Sequence, residues 1–122
     1  VTARNAGAED WWKGHKITTS DYEEHHIIPR SLLKKAGYDL SLIDDTANIG
    51  FLTEKANRKI SNAEPSKYLL DIDSKKLEKQ FVPLEKELWE INNYEDFLTH
   101  RRRLIVQKVN EYFKSLGIEK YL

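Results

Sequence analysis

The sequence predicts an α+β fold in which helix predominates. Three observations carry that expectation. Two short runs, Tyr22–Ile28 and Ile49–Leu52, read as strands bounded by turn-forming residues. Beyond Thr53 the apolar residues recur at helical spacing, longest from Asn93 to Gly117. The 122 residues contain no repeat, linker or low-complexity stretch, so one domain spanning 1–122 is expected.

Val1–Ala8 is small and polar and reads as loose chain or the start of a short helix, and at least one of Trp11 and Trp12 reads as a core anchor, with base stacking as the other reading. His15–Thr18 reads as a short strand before the turn formers Ser20 and Asp21. Pro29 closes the Tyr22–Ile28 strand, because proline donates no ladder bond. Ser31 is the expected cap of a short helix that Gly37 stops. Tyr38–Asp45 reads as a connection. After Ile49–Leu52, Thr53 caps a helix running to about Ile60, with Glu54 favourably placed in its first turn. Pro65 suits the first position of the next helix, and Ser74 the cap of another carrying Leu77 and Phe81. Pro83 breaks that one, and Leu84–Trp89 reads as a helical turn. Asn93 caps the longest helix, whose stripe is Phe97, Leu98, Leu104, Ile105, Val109, Tyr112, Phe113 and Leu116. That stripe reads as core, with Arg101 half-buried within it and paired with an acid.

Composition narrows the function. Hydrophobic residues are 39% and charged residues 33%, the balance of a globular chain rather than a disordered one. No apolar run approaches the roughly 20 residues that span a bilayer, and there is no secretory leader, so no membrane partner is expected. The absence of cysteine excludes disulfides and thiolate metal sites and is compatible with a reducing cytoplasm. Net charge is zero, whereas a self-sufficient DNA binder is usually basic. The chain starts at Val1 and has no methionine, which suggests a fragment of a longer protein.

Chemistry concentrates in Glu24-His25-His26-Ile27-Ile28-Pro29. Side chains alternate along a strand, so His25 and His26 point to opposite faces and cannot share one role through side-by-side packing. One solution sets a metal on one side of the strand end and a base on the other. Asn48 opens the second strand. Thr53, Ala56, Asn57 and Ile60 share a helical face, and apolar packing through Ala56 and Ile60 carries Asn57 towards the histidines. Arg58 and Lys59 follow and could meet phosphate. Glu23 and Glu24 could assist a metal; Asn62 could be a further polar group or a helix boundary.

Three motifs in order, His25-His26-Ile27-Ile28-Pro29, Asn48-Ile49-Gly50-Phe51-Leu52 and Asn57-Arg58-Lys59-Ile60-Ser61, resemble those of the HNH, or ββα-metal, endonucleases. The run Asn62–Leu69, and Leu88-Trp89 with Tyr94, Phe97, Leu98, Arg101 and Arg102, look like the C-terminal HNH domains of GmrSD-like type IV restriction enzymes. The resemblance implies a ββα-metal hairpin-plus-helix core over 22–62, packed on a helical scaffold over 63–122. It implies hydrolysis of DNA phosphodiester bonds in restriction or anti-phage defence, leaving 5′-phosphate and 3′-hydroxyl ends. His26 takes the general-base position, and Asn48 that of the residue holding the loop and orienting the base. His25 and Asn57 take the metal-ligand positions, with Arg58 and Lys59 as nucleic-acid contacts.

Many members carry aspartate where this chain has His25. A neutral imidazole favours softer ions than magnesium, so nickel or zinc join magnesium and manganese as expected metals. The implied partners are modified or phage DNA and an N-terminal nucleotide-binding or recognition domain, in a bacterial or archaeal cytoplasm. Two other readings stay open: a non-catalytic nucleic-acid-binding module keeping the ββα-metal shape, and a helical interaction domain formed by 65–116.

Overall fold

The computed structural model describes residues 22–60 and 62–117. The expected strand at His15–Thr18, the Trp11-Trp12 anchor and the loose start at Val1–Ala8 lie outside these residues. The fold is α+β and mostly helical. Strands β1 (Tyr22–His26) and β2 (Ile49–Thr53) pair antiparallel, with His25 opposite Gly50 and His26 opposite Ile49. Between them lie α1 (Arg30–Lys35) and the one-turn α2 (Leu40–Ile43). Helices α3 (Glu54–Ile60), α4 (Pro65–Tyr68), α5 (Ser74–Lys79) and α6 (Tyr94–Ser115) follow, with 3-10 turns in the connections.

β1 stops two residues earlier than expected because a side chain takes over from the ladder. Ile27 N–H donates to the Asn48 carbonyl at 2.8 Å, and Ile28 N–H to Asn48 Oδ1 at 2.8 Å. That turns both isoleucines into the core, where each is fully buried. On the other side of the hairpin, the buried Gln80 amide acts as a substitute strand. It accepts from Phe51 N–H and donates to Phe51 C=O, both at 2.8 Å. Gly50 permits this approach: a Cβ there would lie 3.2 Å from Gln80 Oε1 and 3.3 Å from Ile27.

Helix ends follow local chemistry, with corrections to the expected caps. Thr53 Oγ1 does accept from Ala56 N–H, at 3.2 Å. α1 begins at Arg30 behind Pro29, without a side-chain cap, so Ser31 is not its N-cap. Asp73, not Ser74, caps α5, through Lys75 N–H at 2.9 Å. Asn93 precedes α6, but its amide donates to Glu87 C=O instead of capping. The connection expected over Tyr38–Asp45 contains α2. Gly37, at φ 90°, closes α1 through Tyr38 N–H to Leu33 C=O and Gly37 N–H to Lys34 C=O. Phe81 closes α5 with the same bond pattern at φ 60°, a conformation uncommon for a side chain of this size.

The core lies between the hairpin and the helices. α6 contributes Tyr94, Phe97 and Leu98, all buried. Full burial of an aliphatic or aromatic side chain of this kind is worth roughly 2 kcal/mol. Beyond Arg101 the expected burial holds only in part: Ile105, Val109 and Phe113 are half-buried, while Leu104, Tyr112 and Leu116 are 37%, 51% and 56% exposed. Arg101 itself is buried and meets backbone rather than an acid. It donates to the carbonyls of Ala47, Ile49 and Gln80 at 3.0, 2.7 and 3.0 Å. No helix among the described residues is long and apolar enough to cross a membrane.

Candidate metal and catalytic site

The two histidines at the end of β1 take partners from different elements, as strand alternation requires. His25 is buried against α3 and α4. Its Nδ1 lies 2.9 Å from Asn57 Oδ1 and its Nε2 3.3 Å from the Tyr68 hydroxyl. Tyr68 donates its own proton to Ile27 C=O at 2.5 Å. The Asn57 amide is turned by Glu23, which accepts from Nδ2 at 3.4 Å and so aims Oδ1 at His25. Burial lowers the His25 pKa from its ordinary value to about 4, against the opposing hydrogen bond to Asn57, so the ring is neutral at neutral pH.

His26 is half-buried, and its Nε2 lies 2.9 Å from Asp44 Oδ1. That hydrogen bond holds the Asp44 carboxyl below its ordinary range, helped by Arg30, whose Nε reaches the same oxygen at 3.4 Å. Both histidines line one shallow polar cleft of about 170 Å³, together with Glu24, Pro29, Arg30, Asn57 and Asn62.

Asn48 is fully buried and works on the loop. Besides accepting from Ile28 N–H, its amide donates to Ile28 C=O at 3.0 Å and Ile43 C=O at 3.3 Å. It therefore ties the chain just after the histidine pair to the end of α2 without lining the cleft. Arg58 pairs with Glu54 one turn earlier on α3 and is exposed, as is Lys59; neither lines the cleft. In the arginine run, Arg102 pairs with Asp45 and Arg103 is exposed.

The sequence singles out His25, His26, Asn48 and Asn57 here, with Glu23, Glu24 and Asn62 as further candidates, but not Arg30, Asp44, Tyr68 or Gln80. Asp44, Tyr68 and Gln80 carried no spacing signal, because each comes from an element whose docking is set by tertiary packing. Asp44 was read as part of a connection, and Tyr68 as an apolar helix residue.

The donors suit a metal ion in kind and spacing. A ligating imidazole must be neutral, which the burial of His25 ensures. Two donor atoms on adjacent corners of an octahedron with bonds of roughly 2.1 Å lie about 3.0 Å apart. His25 Nδ1 and Asn57 Oδ1 are 2.9 Å apart, a hydrogen-bond distance that is also close to that edge. Among the described residues no group of three or more His, Cys, Asp or Glu could hold a metal ion.

No family model matches the chain, and no solved structure matches it. The chain is 33% identical over 63 residues to an uncharacterized protein of Methanocaldococcus jannaschii. The match covers 52% of this chain and 11% of that protein, so the chain spans about a tenth of the relative's length.

Proposed function

We propose that this chain is a metal-dependent HNH endonuclease domain that hydrolyses DNA phosphodiester bonds, the cleavage part of a restriction or anti-phage protein. One observation supports this most: the β1 histidines and Asn57, 32 residues after His25, meet at a single cleft, with the His25 and Asn57 donor atoms 2.9 Å apart. The hairpin followed by α3 is the arrangement that a ββα-metal core requires.

In this reading His25 Nδ1 and Asn57 Oδ1 hold one divalent ion, with water and phosphate oxygens as its other ligands. Magnesium or manganese are the first candidates, nickel or zinc the others. When bound, the ion stabilises charge on the pentavalent phosphorus and on the departing 3′ oxygen. Tyr68 accepts from His25 Nε2–H, which turns the Nδ1 lone pair towards Asn57. His26 removes a proton from the attacking water as its oxygen bonds to phosphorus; the P–O3′ bond breaks, and the 3′ oxygen takes a proton from solvent. Asn48 contributes by holding the chain that follows both histidines. Arg30 borders the cleft and is the better-placed cation for phosphate; Arg58 and Lys59, on α3, lie outside the cleft lining and are the further candidate contacts.

Zero net charge means that affinity for DNA comes in part from elsewhere in a longer protein, a recognition or nucleotide-binding domain. The test is nicking of supercoiled plasmid across a panel of divalent ions. Wild type is expected to nick, with His26→Ala about 100-fold slower or worse, the scale of a general base. His25→Ala is expected to lose both cleavage and calorimetric metal binding. Equal cleavage by wild type and His26→Ala removes His26 as the base. Intact DNA binding without metal binding favours the non-catalytic module instead.

A further inference from the structure

We propose that Asp44 is the positioning residue of His26. It accepts from Nε2–H, holds the imidazole in that tautomer, and leaves Nδ1 to receive the proton in the cleft. The inference rests on the nuclease reading for its kinetic consequence, but the tautomer is a property of the chain itself.

Three observations converge on it. The 2.9 Å bond joins Asp44 to a ring that lines the cleft, while Asp44 lies outside the cleft lining. With Nε2 engaged from outside, the nitrogen that serves the cleft is Nδ1. A pair this exposed contributes little to stability, so folding alone does not account for it. The segment bearing Asp44 is also unusually well anchored. Tyr94 donates its hydroxyl to Leu42 C=O at 2.6 Å and Ile43 C=O at 3.3 Å. Asn48 Nδ2 bonds Ile43 C=O as well, and Asp45 accepts from Ala47 N–H at 2.8 Å while pairing with Arg102. The adjacent acids thus divide their work: Asp45 ties down the turn, and Asp44 projects to His26 with Arg30 steadying its carboxylate. A charged acceptor on a rigid segment also stabilises the imidazolium that forms once Nδ1 takes the proton, with both ring nitrogens then protonated.

Long-range proton–nitrogen NMR of the metal-free chain reads the His26 tautomer directly. In wild type Nε2 is expected to carry the proton and Nδ1 to be bare. Asp44→Ala is expected to mix the tautomers, while Asp44→Asn, whose amide oxygen still accepts, keeps the wild-type form. In plasmid nicking, Asp44→Ala should lower kcat about 10- to 100-fold, the range for losing a group that orients a functional histidine, with KM changed less than about twofold. Asp44→Asn should recover part of that loss. An unchanged tautomer in Asp44→Ala overturns the proposal. So does a kcat within about twofold of wild type while His26→Ala is inactive, a result that leaves the nuclease reading standing. If wild type cuts no DNA, the nuclease reading fails, and the tautomer comparison decides for or against Asp44.

Discussion

His25 and His26 are adjacent, yet their surroundings give them opposite characters. His25 is 4% exposed between Asn57 and Tyr68, and burial drives its pKa from 6.5 to about 4. In the unfolded chain the same ring binds a proton below about pH 6.5. Between these values the unfolded state holds more protons, so stability rises with pH and is lost as pH falls from about 6.5 to 4. The shift corresponds to about 3 kcal/mol. Urea unfolding in EDTA at pH 7 and pH 4.5 should show a loss in wild type that His25→Gln lacks in large part. An equal loss in both proteins would mean that His25 is protonated in the fold. His26 is half-buried, borders the cleft and is bonded to an exposed carboxylate.

The hairpin is short, and its stability depends on an element distant in sequence. A two-stranded sheet is marginal by itself. Here Gln80 supplies both a donor and an acceptor to Phe51 from the end of α5, where the turn at Phe81 closes the helix. Gln80→Leu keeps the volume and removes both bonds, at a cost of about 2 kcal/mol for the groups left behind. The chemical-denaturation midpoint should fall accordingly, and amide exchange at Phe51 should quicken. Unchanged exchange there would show that β2 needs no third partner. α6 is divided in another way: its first two turns are core, while the rest presents Leu104, Tyr112 and Leu116 to solvent. Helical spacing is the same along its whole length, but full burial among the described residues stops at Arg101, and Ile105, Val109 and Phe113 are only half-buried.

At the scale of the molecule, Arg101 joins the parts. Its guanidinium reaches Ala47 and Ile49 beside β2, and Gln80 after α5. Desolvation lowers its pKa to about 10, which leaves it charged at neutral pH. Arg101→Ala leaves at least three carbonyls without their donor and should cost about 3 kcal/mol or more. Arg101→Lys should recover little, because one ammonium cannot span the same carbonyls. A thermal melt of Arg101→Ala within about 2 °C of wild type would contradict this role, since a loss of that size moves Tm several times further.

The sequence by itself determined the α+β class, both strands to within two residues, the glycine stops at Gly37 and Gly117, and the Thr53 cap. These are local matters of period, backbone freedom and short-range hydrogen bonding. It also singled out His25, His26, Asn48 and Asn57, because their motifs, in that order, resemble those of the HNH endonucleases. Tertiary structure alone decided which polar groups meet. Asp44 reaches His26, Tyr68 reaches His25, Gln80 extends the hairpin and Arg101 takes backbone carbonyls instead of an acid. Each pairing spans 18 to 52 residues and depends on how helices dock. Local pattern carries no information about docking, and the reach of α6 beyond its core was hidden for the same reason.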